Sequence, residues 1–133
     1  MKKIILSGLV CLCACSSWAV DWQDNYANAL KQAKKEQKLV MVDIYTDWCG
    51  WCKKLDRDTY SDKDVQAKLA KDFIALKVNP EKSADGAKLA QQFGVHGFPF
   101  IAFVGADGKL VTQVSGYLPA AKFLQKLEQV TAK

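Results

Sequence analysis

Apolar positions along the chain recur with two periods, and the switches between them divide it into helices and strands. Tyr26, Ala29, Leu30 and Ala33 fall at helical spacing, and Asp21 or Asp24 can cap a helix running to about Lys35. Leu39 to Tyr45 is a short apolar run with Val40, Val42 and Ile44, which predicts a buried strand interrupted only by Asp43. Thr46 to Gly50 reads as a loop. A helix follows from about Trp51 toward Tyr60, then a short one capped by Ser61 that carries Val65 and Leu69. Phe73 to Val78 is the next strand, ended by Asn79-Pro80. Ser83 or Asp85 opens a helix with Ala87, Leu89, Ala90 and Phe93, and Gly94 ends it. Pro99 to Val104 and Leu110 to Val114 are strands joined by an Asp107-Gly108 turn. Pro119 begins a last helix with Phe123, Leu124, Leu127 and Val130 on one face. Helices between the early strands imply parallel crossovers, and the tight turn makes the last pair antiparallel. The fold class is α/β: a mixed central β-sheet flanked by helices in three layers.

Composition narrows the class. With 133 residues, half of them apolar, the chain can pack one core. The net charge of +5 falls to near +3 without Lys2 and Lys3, and the lysines are scattered, so no nucleic-acid footprint is expected. Residues 1–19 read as an export signal, with Lys2 and Lys3 as the basic start, Ile4 to Ala14 as the apolar stretch and Ser17-Trp18-Ala19 as the cleavage site. The working domain is then 20–133. In a competing reading, Leu12-Cys13-Ala14-Cys15 resembles a bacterial lipobox that would leave a lipid anchor on Cys15. Either reading sends the domain to a bacterial periplasm or beyond.

Cysteine spacing carries the chemistry. Of five cysteines, Cys11, Cys13 and Cys15 lie in the signal segment, leaving Cys49 and Cys52 alone in the domain. A bridge across two residues closes too small a loop to restrain the unfolded chain much, so a lone C-x-x-C in an oxidising compartment points to redox work. At a helix start, the dipole and the unpaired N–H groups stabilise a thiolate. Cys49 is therefore expected to be the accessible nucleophile and Cys52 the resolving thiol, one turn in and buried. A zinc site would need further ligands, for which the domain offers His96 and carboxylates. Lys53 follows the pair where a haem-attachment motif needs histidine. Neither a metal nor a bound cofactor is expected.

Val42-Asp43-Ile44-Tyr45-Thr46-Asp47-Trp48-Cys49-Gly50-Trp51-Cys52-Lys53 resembles the active-site segment of the thioredoxin superfamily, and Gly94-Val95-His96-Gly97-Phe98-Pro99 resembles its cis-proline loop. Cys52 to Val65, with Asp58-Thr59-Tyr60-Ser61-Asp62, further resembles the C-terminal domains of DsbD-type thiol:disulfide interchange proteins and their small secreted relatives. This resemblance implies a thioredoxin-like fold and a thiol–disulfide oxidoreductase. It implies protein disulfides as substrates and a membrane electron donor of the DsbD type as partner. It also assigns roles. Pro99 matches the cis-proline, with the Phe98 backbone pairing to a substrate strand. Asp43 matches the buried acid that takes the Cys52 proton, its pKa raised by desolvation. Trp48 matches the tryptophan that shields the site.

Departures from that pattern leave alternatives open. Gly50-Trp51 stands where thioredoxins have Gly-Pro, so Trp51 adds apolar surface that selects a partner or merely packs. With no histidine between the cysteines, a weakly oxidising disulfide is expected, which favours a reductase over a disulfide donor. Lys77 is near the place of the family's lysine partner for the acid, at a departing spacing. His96 reads as an exposed loop residue rather than one tuning Cys49. An isomerase or oxidase on the same fold, and a non-catalytic binding module using Trp48, Trp51 and Phe98, remain as rivals.

Overall fold

A computed structural model describes residues 19–132. The export-signal reading of residues 1–19, except for Ala19, and the lipid-anchor reading of Cys15 fall outside the described residues. In chain order the elements are β1 (Trp22–Gln23), α1 (Tyr26–Glu36), β2 (Leu39–Ile44), α2 (Gly50–Asp58), α3 (Lys63–Asp72), β3 (Phe73–Val78), α4 (Ala84–Gln92), β4 (Phe100–Val104), β5 (Leu110–Ser115) and α5 (Ala120–Thr131). They build a five-stranded sheet in the order β1-β3-β2-β4-β5. β3 pairs parallel with β1 and β2, whereas β4 pairs antiparallel with β2 and β5.

Strand alternation sorts the side chains into two cores. Val40, Val42, Ile44, Ile74, Leu76, Val78, Phe100, Ala102 and Val104 face Ala29 and Ala33 of α1 and Leu89 of α4. The other face sets Met41, Phe73, Ala75, Ile101 and Phe103 against Leu55 of α2, Val65 and Leu69 of α3, and Phe123, Leu127 and Val130 of α5. Each fully buried Val, Leu, Ile, Phe or Met among them is worth about 1.5–3 kcal/mol. β2 is central and covered on both faces, which explains its near-continuous apolar run. β5 is an edge, and Leu110 and Val111 there are exposed.

The structure moves several expected boundaries. β1 is new: two residues hold no period to read, and the strand exists only by pairing Trp22 with Ala75 and Gln23 with Leu76. Asn25, not Asp21 or Asp24, caps α1, its side chain accepting from the Asn28 amide at 2.9 Å. Asp62, not Ser61, caps α3, because its Oδ1 accepts from both Asp64 and Val65 at 3.0 Å. The Ser61 hydroxyl instead donates back to the Arg57 carbonyl. α2 begins one residue earlier than expected, at Gly50, with Cys49 as its cap, and Pro119 precedes α5 rather than entering it.

Gly86 sits in the first turn of α4, where a Cβ would lie 2.7 Å from the backbone oxygen of Asn79. An alanine at a compatible helix site ordinarily stabilises by about 0.4–1 kcal/mol. Here the Asn79 turn must move, so Gly86→Ala is expected to lower stability by about 1–3 kcal/mol in urea unfolding.

Candidate active site

The site lies at the end of the sheet where β2 finishes and β4 begins. Ile44 stands opposite Phe100, so the loop after β2 and the loop before β4 emerge side by side. Cys49 caps α2 in an extended conformation, and its Sγ accepts from the Cys52 amide at 3.1 Å. The Thr46 carbonyl accepts the Cys49 amide at 3.4 Å, closing the turn into the helix. Cys49 and Cys52 are joined as a disulfide, with their Cα atoms 5.3 Å apart. Cys52 is 3% exposed, as expected, but Cys49 is only 5% exposed. The expected accessible nucleophile is thus covered in this oxidised form, because capping and bridging both fold its sulfur back onto the first turn.

Asp43 occupies an odd position of β2, so it points to the face that carries α2. It is 1% exposed. The parallel register sets Lys77 directly beside it, and the Lys77 ammonium donates to Asp43 Oδ2 at 2.8 Å. Lys77 also donates to Asp56 Oδ1 of α2 at 2.7 Å. Its Nζ lies 4.8 Å from the ring centres of both Trp22 and Tyr45. Burial pushes the Asp43 carboxyl above the usual carboxylate range, and Lys77 offsets only part of that. Burial pulls Lys77 down, yet Asp43 and Asp56 together outweigh it and leave its pKa raised. The lysine partner left open by spacing is therefore Lys77, placed by strand register that the sequence does not print.

An aromatic rim surrounds the disulfide. Trp48 is 69% exposed and is not core packing. Its indole N–H donates to Glu81 Oε1 at 2.6 Å, and its ring meets Phe98 edge-on at 5.9 Å. Asp47 beside it pairs with Lys82 and accepts from Asn79 Nδ2 at 3.3 Å. Trp51 is also exposed and leans on Tyr117 at 5.7 Å. The Phe98–Pro99 peptide is cis, with Phe98 half-buried and Pro99 buried. The Pro99 carbonyl accepts from the Gly116 amide at 2.8 Å, which ties the cis-proline loop to the segment after β5. His96 is exposed in its loop. Sequence reasoning missed Asp56, Glu81 and Tyr117, each brought in by tertiary contact alone. Among the described residues, no group of three or more His, Cys, Asp or Glu is placed to hold a metal ion.

A family model described as a thioredoxin-like domain matches residues 26–131. The chain is 37% identical over 102 residues to a thiol:disulfide interchange protein DsbD of Yersinia pestis; the match takes in 75% of this chain and 17% of that protein. It therefore spans well under two thirds of that relative. A thioredoxin from Thermus thermophilus is similar in structure with a TM-score of 0.76 and 29% identity, over 86% of this chain and 89% of the other. The reduced C-terminal domain of Neisseria meningitidis DsbD is similar with a TM-score of 0.65 and 28% identity, over 81% and 97%.

The raised Asp43 pKa makes stability depend on pH. A carboxyl harder to ionise in the folded state contributes most below its unfolded pKa of about 3.9, and that contribution is lost as pH rises through the folded value. Asp43→Asn cannot ionise, so its stability relative to the wild type is expected to climb with pH across that window and then level off. Urea midpoints from about pH 3 to about pH 9 measure this; a constant difference would contradict the assignment.

Proposed function

Since the chain belongs to the thioredoxin-like domain family, we propose that it is an exported thiol–disulfide oxidoreductase that reduces protein disulfides. The observation that carries this reading is the Cys49–Cys52 disulfide seated on the N-terminus of α2, on the sheet face that holds Asp43 and Lys77. In the dithiol form the Cys49 thiolate gains the positive end of the helix and its unpaired N–H groups. It attacks one sulfur of a substrate disulfide. A Cys49–substrate bond forms, the substrate bond breaks, and the second substrate sulfur leaves as a thiolate that takes a proton. Cys52 then gives its proton to the Asp43 carboxylate and attacks Cys49. The internal disulfide closes and the substrate departs as a dithiol, two electrons richer. The structure corresponds to this oxidised product, and no cofactor enters any step.

Residues around the disulfide support the substrate roles. Trp48, Trp51 and Phe98 form an apolar rim, and the Phe98 backbone beside Pro99 offers hydrogen bonds to an extended peptide. Turnover requires a dithiol donor, since an oxidising compartment supplies no reducing buffer. A membrane donor of the DsbD type suits the similarity to thiol:disulfide interchange proteins. Export rests on the pattern of residues 1–19, with lipid attachment at Cys15 as its variant.

Insulin reduction with dithiothreitol as donor tests the reading. Cys49→Ser is expected to fall to the uncatalysed background, and Cys52→Ser to stall as a mixed disulfide visible by mass spectrometry. Unchanged function in Cys49→Ser would instead favour a binding module. The reduction potential is expected nearer thioredoxin's value of about −270 mV than DsbA's of about −120 mV. A value near the latter would reverse the direction of electron flow.

A further inference from the structure

Two buried polar atoms on the α2 face of the sheet lack a well-aligned hydrogen-bond partner among the described residues: the Tyr60 hydroxyl and Asp43 Oδ1. One is a donor and the other an acceptor, and such orphans are uncommon in folded proteins. Tyr60 follows α2 in a turn fixed by its own amide on the Leu55 carbonyl at 3.0 Å and by Thr59 Oγ1 on the Leu118 carbonyl at 2.6 Å. Its ring is held edge-on by Trp22 at 4.8 Å and by Phe123 at 5.6 Å. The Lys77 ammonium stands 5.3 Å from the ring centre. The ring is thus fixed, and the hydroxyl is left to rotate. Burial first, and the Asp43 charge second, push the phenol pKa well above its ordinary value, so Tyr60 keeps its proton and stays a donor. The ionisable groups facing Asp43 are Lys77 on β3, Asp56 on α2, and Tyr60, while its β4 neighbour is the apolar Ile101.

We propose that Tyr60 is a positioning residue for Asp43, its hydroxyl donating to the carboxylate while Lys77 holds Oδ2, so that the carboxylate is kept ionised and oriented for the Cys52 proton. This rests on the reductase reading given above. The proton still moves from Cys52 to Asp43; Tyr60 donates a hydrogen bond and exchanges no proton. A donor to the ionised carboxylate lowers its pKa, opposing burial, so removing it leaves less Asp43 ionised on the acid side of the profile.

Tyr60→Phe deletes one oxygen and keeps every ring contact, so it is expected to fold. Carbon-13 NMR of the Asp43 carboxyl, assigned with Asp43→Asn, is expected to show its titration displaced upward in Tyr60→Phe. The resolving step, followed by stopped flow with a disulfide peptide, is expected to slow on the acid limb by about 2- to 12-fold, the factor of one hydrogen bond. On the alkaline plateau the two proteins should agree. An Asp43 titration unmoved by Tyr60→Phe overturns the proposal, as does a loss of rate uniform in pH. The NMR arm needs no turnover, so a protein that reduces no disulfide would refute the reductase reading while the titration still reports on Tyr60.

Discussion

A carboxylate and an ammonium stand side by side on the two central parallel strands, and much of the site is arranged around them. Asp43 and Lys77 share a register position and one face of the sheet. An unpaired charge at the depth of Asp43 would cost several kcal/mol, and the partly buried Lys77 supplies its partner. Lys77 is held in turn by Asp56 from α2 and by the rings of Trp22, Tyr45 and Tyr60. The short strand β1 brings Trp22 to this cluster, which gives a two-residue element a reason to exist. The pair thus joins β1, β3, β2 and α2 in one polar knot within an apolar layer.

In the proposed reduction the knot and the disulfide take different halves of one chemistry. The helix terminus favours charge on the Cys49 sulfur that caps it. Burial raises the cost of the ionised Asp43 carboxyl and so favours its protonated form. When the proposed proton transfer neutralises Asp43, Asp56 still faces the Lys77 ammonium. α2 suits this, because Trp51 near its N-terminus is exposed while Leu55 on its flank faces the core.

Much of the fold was legible because it is periodic. The β-branched run of β2, the helical spacing in α4 and α5 and the Asp107-Gly108 turn all read directly, and each lies where expected. The mixed sheet with helices on both faces followed from their order. The failures share a cause: each depended on what a segment meets rather than on what it contains. β1 exists through its partner, the α1 cap through the geometry of one turn, and the Asp43–Lys77 contact through register. Cys49 and Cys52 were legible from spacing alone, but the covered state of Cys49 was not, because accessibility belongs to the folded turn and its redox state.

Trp48 is anchored away from the redox helix. Its indole holds Glu81, and Asp47 next to it holds Lys82 and Asn79, so the rim's largest side chain is tethered to the crossover that leaves β3. The Cys49–Cys52 disulfide and Asp43 sit on other elements, α2 and β2. The molecule is therefore modular across a distance of a few residues. Drift in the Asn79–Lys82 turn can re-aim the exposed aromatic rim while the Cys49–Cys52 turn and the Asp43–Lys77 pair keep their places.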